Sequence, residues 1–400
     1  VPGLQQFRRS DARSANPTSQ GVTLRGLGGN ASSRALLFVD GVPQADPFGG
    51  WVSWPGYDAL NLASIRVRRG AGQVVAGPGA LSGIIELDSV QNRNVTDFQA
   101  SYGSRNSLKG RASLGRATGP NVGDGYVSAS ASYERGDGFT PIVERQRGAV
   151  DRGAKYQQAG LSLRAVAPIS DEIELQANLR GFIDERDRGF DFSDNENSGA
   201  DASIRVVGRG DWQWSALGYL QIRDFRARFG SVAADRNSVR LVFEQFNVPS
   251  TGLGTRFELR PPVGDDAEVR VGGDWRRTVG ETNENFFFIG PTPQRSRNAG
   301  GRTDTVGAFL EGIWKPNDKL TFTAGARADR WNISNGFRKE INLSDGSIRG
   351  DDIFARRSRW EGSGRVGFGW QPDENFEWTF RGSAYTSWRL PTLNELYWKL

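Results

Sequence analysis

Neither cysteine, methionine nor histidine occurs in the 400 residues. Without cysteine there is no disulfide and no thiolate chemistry. Without histidine the commonest metal ligand and the usual general base are gone, and a Ser-His-Asp triad is excluded. The missing methionine includes position 1, so the opening VPGLQQF says nothing about a leader sequence. No run of about 18 apolar residues exists, which excludes a membrane-spanning helix. A compact basic tract is also lacking. The 51 basic and 46 acidic residues are interspersed at a net charge of +5. That pattern reads as solvated surface with some attraction to anionic lipid headgroups, and not as a nucleic-acid partner.

What the chain does have is glycine, at 52 residues, and 11% aromatics, with only 37% hydrophobic residues. A soluble all-β protein and a transmembrane β-barrel both fit, and composition alone favours the soluble one; in a barrel only alternate residues meet lipid. From about Asn94 the chain alternates with period 2. Val127, Ala129, Ala131 and Tyr133 oppose Tyr126, Ser128, Ser130, Ser132 and Glu134. Ile173, Leu175, Ala177, Leu179 and Ile183 oppose Glu172, Glu174, Gln176, Asn178 and Arg180, and Leu320, Phe322, Ala324, Ala326 and Ala328 form a third apolar face. Phe376, Trp378, Phe380, Gly382 and Ala384 form a fourth. Short turns rich in Pro, Gly, Asp and Asn (168–171, 261–266, 315–319, 371–375) alternate with long polar connections at about 136–155, 185–201, 230–250, 280–303 and 334–357. Short turns on one side and long loops on the other suit an outer-membrane barrel, with Trp212, Trp214, Trp314, Trp331, Trp370 and Trp378 near strand ends as an aromatic girdle. About 13 strands are countable.

Residues 1–91 read differently, as short β runs at 22–25, 36–39, 64–69 and 83–87 with one helical turn at 57–62. Four motifs stand here in order: Arg25-Gly26, Asp40–Pro43 (DGVP), Arg66–Gly70 (RVRRG) and Gly77–Ile84 (GPGALSGI). They resemble the plug of the TonB-dependent outer-membrane receptors, with Ala76 where that family usually has Tyr. SWRLPTLNELY at 387–397 resembles a barrel segment of the same family. The resemblance implies a mainly β fold: a transmembrane antiparallel β-barrel, here an open arc of about 13 strands, with an N-terminal α+β plug (1–91) in the lumen of the barrel (92–400). It also implies that both ends of the barrel protein, including the TonB-contacting segment, lie outside this stretch of sequence.

The glycines of 70–83 lack the Lys-Ser/Thr of a phosphate loop, and the acidic stretch 184–201 lacks calcium-loop spacing, so no metal or cofactor is expected. No catalytic constellation is visible. The resemblance implies active uptake of a scarce, large solute, a siderophore-iron complex or vitamin B12, with a carbohydrate or another solute left open. The short plug and the polar GGNASS loop lean toward the B12 type. Candidate ligand contacts are Asn30, Asp46, Phe48, Trp51 and Trp54 on the plug, and Phe286, Phe287 and Tyr397 on the barrel. Phe48, Trp51 and Trp54 serve equally as packing against the wall. Arg25 and Arg69 match plug arginines that the family pairs with wall carboxylates, here with Glu311 as a partner. Implied partners are TonB, the solute and outer-membrane lipid. A passive porin, an adhesin and a soluble β-rich binding protein are the rival classes.

Overall fold

The computed structural model describes residues 4–6, 15–24, 32–70, 74–91, 94–121, 123–372 and 378–397. Two short strands, β1 (Leu4–Gln6) and β2 (Val22–Leu24), pair with each other. Next come β3 (Ala35–Val39), β4 (Val42–Pro43), β5 (Leu62–Arg69) and β6 (Gly83–Ser89), in the order β4-β3-β6-β5. β3 and β6 run parallel. The β3–β4 hairpin closes through Asp40 and Gly41, both at positive φ, as a two-residue turn requires. One face of this sheet buries Leu37, Val39, Ile85 and Leu87 against Val22, Leu24 and Val52. Its other face carries Phe38 and Ile84 with Ala76 and Ala80, and beyond them a set of charges.

The large sheet holds β7 (Val95–Gly103), β8 (Ser107–Ala117), β9 (Tyr126–Gly136), β10 (Tyr156–Pro168), β11 (Ile173–Arg186), β12 (Asn195–Gly208) and β13 (Gln213–Val232). It continues through β14 (Val239–Asn247), β15 (Ser250–Arg260), β16 (Ala267–Ile289), β17 (Thr292–Asn317), β18 (Leu320–Asn342), β19 (Ile348–Phe354), β20 (Arg357–Trp370) and β21 (Phe380–Tyr385). Every pairing in it is antiparallel, and all but three join chain neighbours; β13 with β15, β14 with β16 and β18 with β20 are the exceptions. β14 and β15 share the same two neighbours, β13 and β16, across an interruption that contains Pro249, which has no N–H for the ladder. β19 and β20 likewise follow one another along β18. The sheet is therefore a wall of thirteen strand positions among the described residues, with β7 and β21 as its two edges.

Alternation sets which side chains face out. Val127, Leu179, Phe322 and Phe380 are exposed on the convex face, as are Leu161, Leu220, Ile222, Val306 and Leu310. Ala131 is exposed with them, and Ala129 and Leu175 are half-exposed. Phe376 lies outside the described residues. On β13 the outward apolar run is Trp214 to Ile222, after which Asp224 and Arg226 take over. Nine residues match the length of a tilted strand crossing the hydrocarbon layer.

The long loops expected at 185–201, 230–250, 280–303 and 334–357 are mostly strand. β16 and β17 stay paired from Ala267–Trp314 up to Ile289–Thr292, and only Gly290 and Pro291 turn. Beyond the membrane both faces of a strand are polar, so hydrophobic periodicity is silent there. The ladder continues because each strand still has a neighbour to satisfy its backbone groups. Among the described residues, the 137–155 connection is the one of these that stays a long loop.

Candidate functional site

The plug is held to the concave face of the wall by contacts spread over several strands. On the DGVP turn, Asp40 forms an ion pair with Arg164 of β10 at 2.8 Å. The same guanidinium donates to the Tyr126 hydroxyl at 2.8 Å and to Asn178 Oδ1 at 2.9 Å. Asp40 also accepts from the Ser89 N–H and hydroxyl, so one carboxylate links turn, sheet and wall. Asp58 pairs with Arg111 at 2.7 Å. Arg276 donates to the Ala76 carbonyl at 2.5 Å and Arg327 to that of Val74 at 3.3 Å. Arg327 itself lies between Asp274 and Asp329, at 2.7 and 2.6 Å, and the Trp388 indole N–H donates to Asp329. Gln221 reaches the Pro43 carbonyl and Asn197 the Ser53 hydroxyl.

Above the plug, on the side away from the short turns, lies an open vestibule. Its floor is the 46–54 loop. Asp46 accepts from the N–H groups of Phe48 and Gly49 at 2.9 and 2.8 Å and pins a tight turn. Burial raises the Asp46 carboxyl, and those two N–H groups and the Arg223 charge only partly offset it, leaving it at about 6. Phe48 and Trp51, 1% and 3% exposed, pack with Phe225, Val248, Ala299, Ile333, Leu393 and Tyr397. The last two belong to α1 (Leu393–Tyr397). This short helix has a capping box: Thr392 Oγ1 accepts from the Glu395 N–H, and Glu395 accepts from the Thr392 N–H. Arg389 grips Glu395 with two nitrogens, Ser32 donates to it at 2.9 Å, and the Asn394 N–H donates to the Phe48 carbonyl at 3.0 Å. Burial would raise the Glu395 carboxyl, but Arg389, the Thr392 N–H and Ser32 overcome it and hold the group at about 2.

The vestibule walls are half-buried aromatics interleaved with arginines. Phe229 and Phe243 stand 5.4 Å apart, and Phe243 pairs across the ladder with Phe286. Trp331 and Phe354 line the opposite side against the floor cluster. Arg297 lies 5.4 Å over the Phe286 ring and pairs with the buried Glu284, which also accepts from Gln245 and Thr282. Arg188 lies 5.1 Å over Phe229 and donates to the carbonyls of Ser193 and Arg228. Burial lowers its pKa, only partly offset by Asp187 and Asp194. Such walls suit a solute that offers flat apolar surface together with negative or carbonyl oxygens.

Not every residue singled out from sequence stands in this vestibule. Phe286 does. Asp46, Phe48, Trp51 and Tyr397 are in the sealed floor, so as placed they hold the plug and offer no ring face to a solute. Trp54 is half-buried at the plug edge, its indole donating to the Gln20 carbonyl. Phe287 points out at 59% exposure, with a positive φ of 54°, under Arg295. Asn30 and Arg25 lie outside the described residues. The pairing expected of Arg69 with Glu311 is not formed: Arg69 is exposed, and no ion pair joins the two. Glu311 shares the lumen face with Phe309, as alternation along β17 indicates. The wall arginines 111, 164, 276 and 327 make plug contacts instead. Sequence reading missed them, although alternation puts Arg164 on the polar face of β10 with Gln158 and Ser162.

Residues 1–84 match the family model for the TonB-dependent receptor plug domain, and residues 181–399 match that for the TonB dependent receptor-like β-barrel. The vitamin B12 transporter BtuB of Vibrio vulnificus (strain YJ016) is 24% identical over 392 residues, covering 93% of this chain and 54% of its own length. The ferric yersiniabactin uptake receptor FyuA from Yersinia pestis superposes with a TM-score of 0.70 at 19% identity, over 94% of this chain and 58% of that one. The ferric-catecholate import receptor Fiu from E. coli K12 gives 0.73 at 14% identity, over 98% and 66%. The chain thus spans about half the length of the B12 transporter, and the structural likenesses establish the fold.

Proposed function

Since the chain belongs to the TonB-dependent receptor family, outer-membrane β-barrels that carry a plug, we propose that it serves the energy-driven uptake of a scarce, large solute of the siderophore-iron or vitamin B12 type. One observation supports this reading: a distinct unit of short strands and 3-10 turns sits in the lumen, tied to the wall by ion pairs and hydrogen bonds as well as by apolar contacts. A barrel this wide would otherwise be an open channel, and polar ties can exchange for water when the plug is pulled. The aromatic and arginine walls of the vestibule bind the solute from outside, with Phe229, Phe243, Phe286, Trp331, Arg188 and Arg297 in contact. TonB supplies the pull on the plug. The B12 transporter and the siderophore receptors among the relatives support these two solute classes.

The test is uptake of radiolabelled cyanocobalamin and of ferric siderophores by cells expressing the full-length protein, with and without TonB. Uptake of one of them above a receptor-free strain, lost when TonB is removed, is the expected result. Uptake that persists without TonB would make the protein a passive pore. Absence of both binding and uptake for the whole panel would remove these solute classes.

A further inference from the structure

Beneath the plug, toward the short turns, lies a polar cavity of about 450 Å³. That volume is within the range of small-molecule sites. Its ceiling is the charged face of β5 and β6, with Arg66, Arg68, Glu86 and Asp88. Its wall is the inward face of β10 to β16. Seven arginines line it against four carboxylates. Most are matched: Arg66 with Asp88 at 3.0 Å, Arg164 with Asp40, and Arg256 and Arg260 with opposite oxygens of Glu258 at 2.8 and 2.9 Å. Arg205 of β12 is different. Among the described residues no hydrogen bond or ion pair holds its guanidinium.

A cluster that only braced the plug would balance its charges, because a desolvated cation without a partner is costly. Glu268, just outside the lining, pairs with Arg270 at 2.8 Å, so seven arginines face five carboxylates, and the remaining excess of two positive charges focuses a positive potential on the cavity. A free guanidinium there offers the planar fork that matches carboxylate and phosphate oxygens. We propose that this cavity binds an anionic group, a carboxylate or a phosphate, with Arg205 as its principal donor. On the uptake reading above, on which this step rests, the bound group belongs to the solute as it leaves the plug for the periplasm. The alternative source is a free inorganic anion from the periplasm.

The test is calorimetric titration of inorganic phosphate into the purified full-length receptor at low salt, with sodium chloride matched for ionic strength as the blank. Arg205→Gln removes no ion pair, so the fold is preserved. Arg226→Gln, on the outward face, is the control. Charged hydrogen bonds of this kind correspond to an affinity loss of about ten- to a hundredfold in Arg205→Gln, with Arg226→Gln unchanged and Arg205→Lys partly restored. No saturable phosphate binding by the wild type, or equal affinity in Arg205→Gln, overturns the site. The titration does not depend on uptake, so its failure leaves the transport reading standing, and failed uptake leaves the titration valid. Once a solute is in hand, slower uptake by Arg205→Gln with unchanged binding at the cell surface assigns the site to that solute. Unchanged uptake overturns its place on the path and leaves a free anion as its occupant.

Discussion

Replacing Asp40 by Asn tests whether the plug is tied to the wall by charge. Asn tolerates the left-handed conformation that Asp40 adopts at φ 49°, so the DG turn survives. The amide oxygen can still accept from Ser89. What is lost is the charge opposite Arg164, whose side chain is 13% exposed, as Asp40's is 11%. Removing one partner of a fully buried pair costs about 3–5 kcal/mol, and this pair borders a polar cavity, so we expect about 2–3 kcal/mol. At 1.4 kcal/mol per factor of ten, plug amides in β3 and β6 should exchange with solvent roughly thirty- to 150-fold faster. Mass-resolved hydrogen exchange on the full-length protein reads this directly. The double variant Asp40→Asn/Arg164→Gln removes both charges and should recover much of the loss. If the two single effects simply add, to within about 0.5 kcal/mol, the residues are not coupled and the pair does not tie the plug.

Other expectations follow from the same contacts. Phe48→Ala empties a side-chain-sized space in the floor cluster, for about 3–5 kcal/mol, and limited proteolysis should cut the 46–54 loop faster than in wild type. Asp46→Asn keeps both turn hydrogen bonds and removes a carboxyl raised to about 6. The folded state holds that proton more tightly than the unfolded chain, so the cost of the charge is complete above pH 6 and relieved as pH falls toward 4. Thermal melts at pH 7.5 should therefore show the variant as stable as wild type or more so, with the gap closing at pH 4.5. Glu395 has the opposite sign: its folded pKa, about 2, lies below the unfolded value, so its contribution is full above about pH 4.5 and is lost as pH falls through 2. With partial exposure discounted, Glu395→Gln should cost about 1–2 kcal/mol at pH 7, read as loosened exchange protection in residues 387–397. Phe286→Ala should weaken solute binding about thirtyfold if its ring is a binding hot spot, and unchanged affinity would remove it from the site.

Much of the architecture was legible without coordinates, and the reasons are local. Period-2 alternation in 126–134 and 173–183 depends only on which face meets lipid, and each strand carries that record in its own residues. The DG dipeptide at 40–41 calls for a two-residue turn because few residues accept positive φ. The TxxE of 392–395 caps its helix with its own side chains. Where both faces of a strand are polar, as at 281–285 and 294–298, the record is blank, and the reading of loops there failed for that reason.

The plug motifs and the alternating strands were therefore the sequence's own contribution: family, membrane, and inward against outward. Partnership across the lumen was decided only in three dimensions. Arg164 lies 124 residues from Asp40, and Arg327 lies 253 from Val74. No spacing rule joins them, because the curvature of thirteen wall strands sets which inward side chain meets which part of the plug. The same curvature turned Phe48 and Trp51 from a possible ligand platform into a seal, by bringing α1 and β13 over them. Among the described residues it also left Arg205 without a partner, since whether a charge is matched depends on everything that surrounds it.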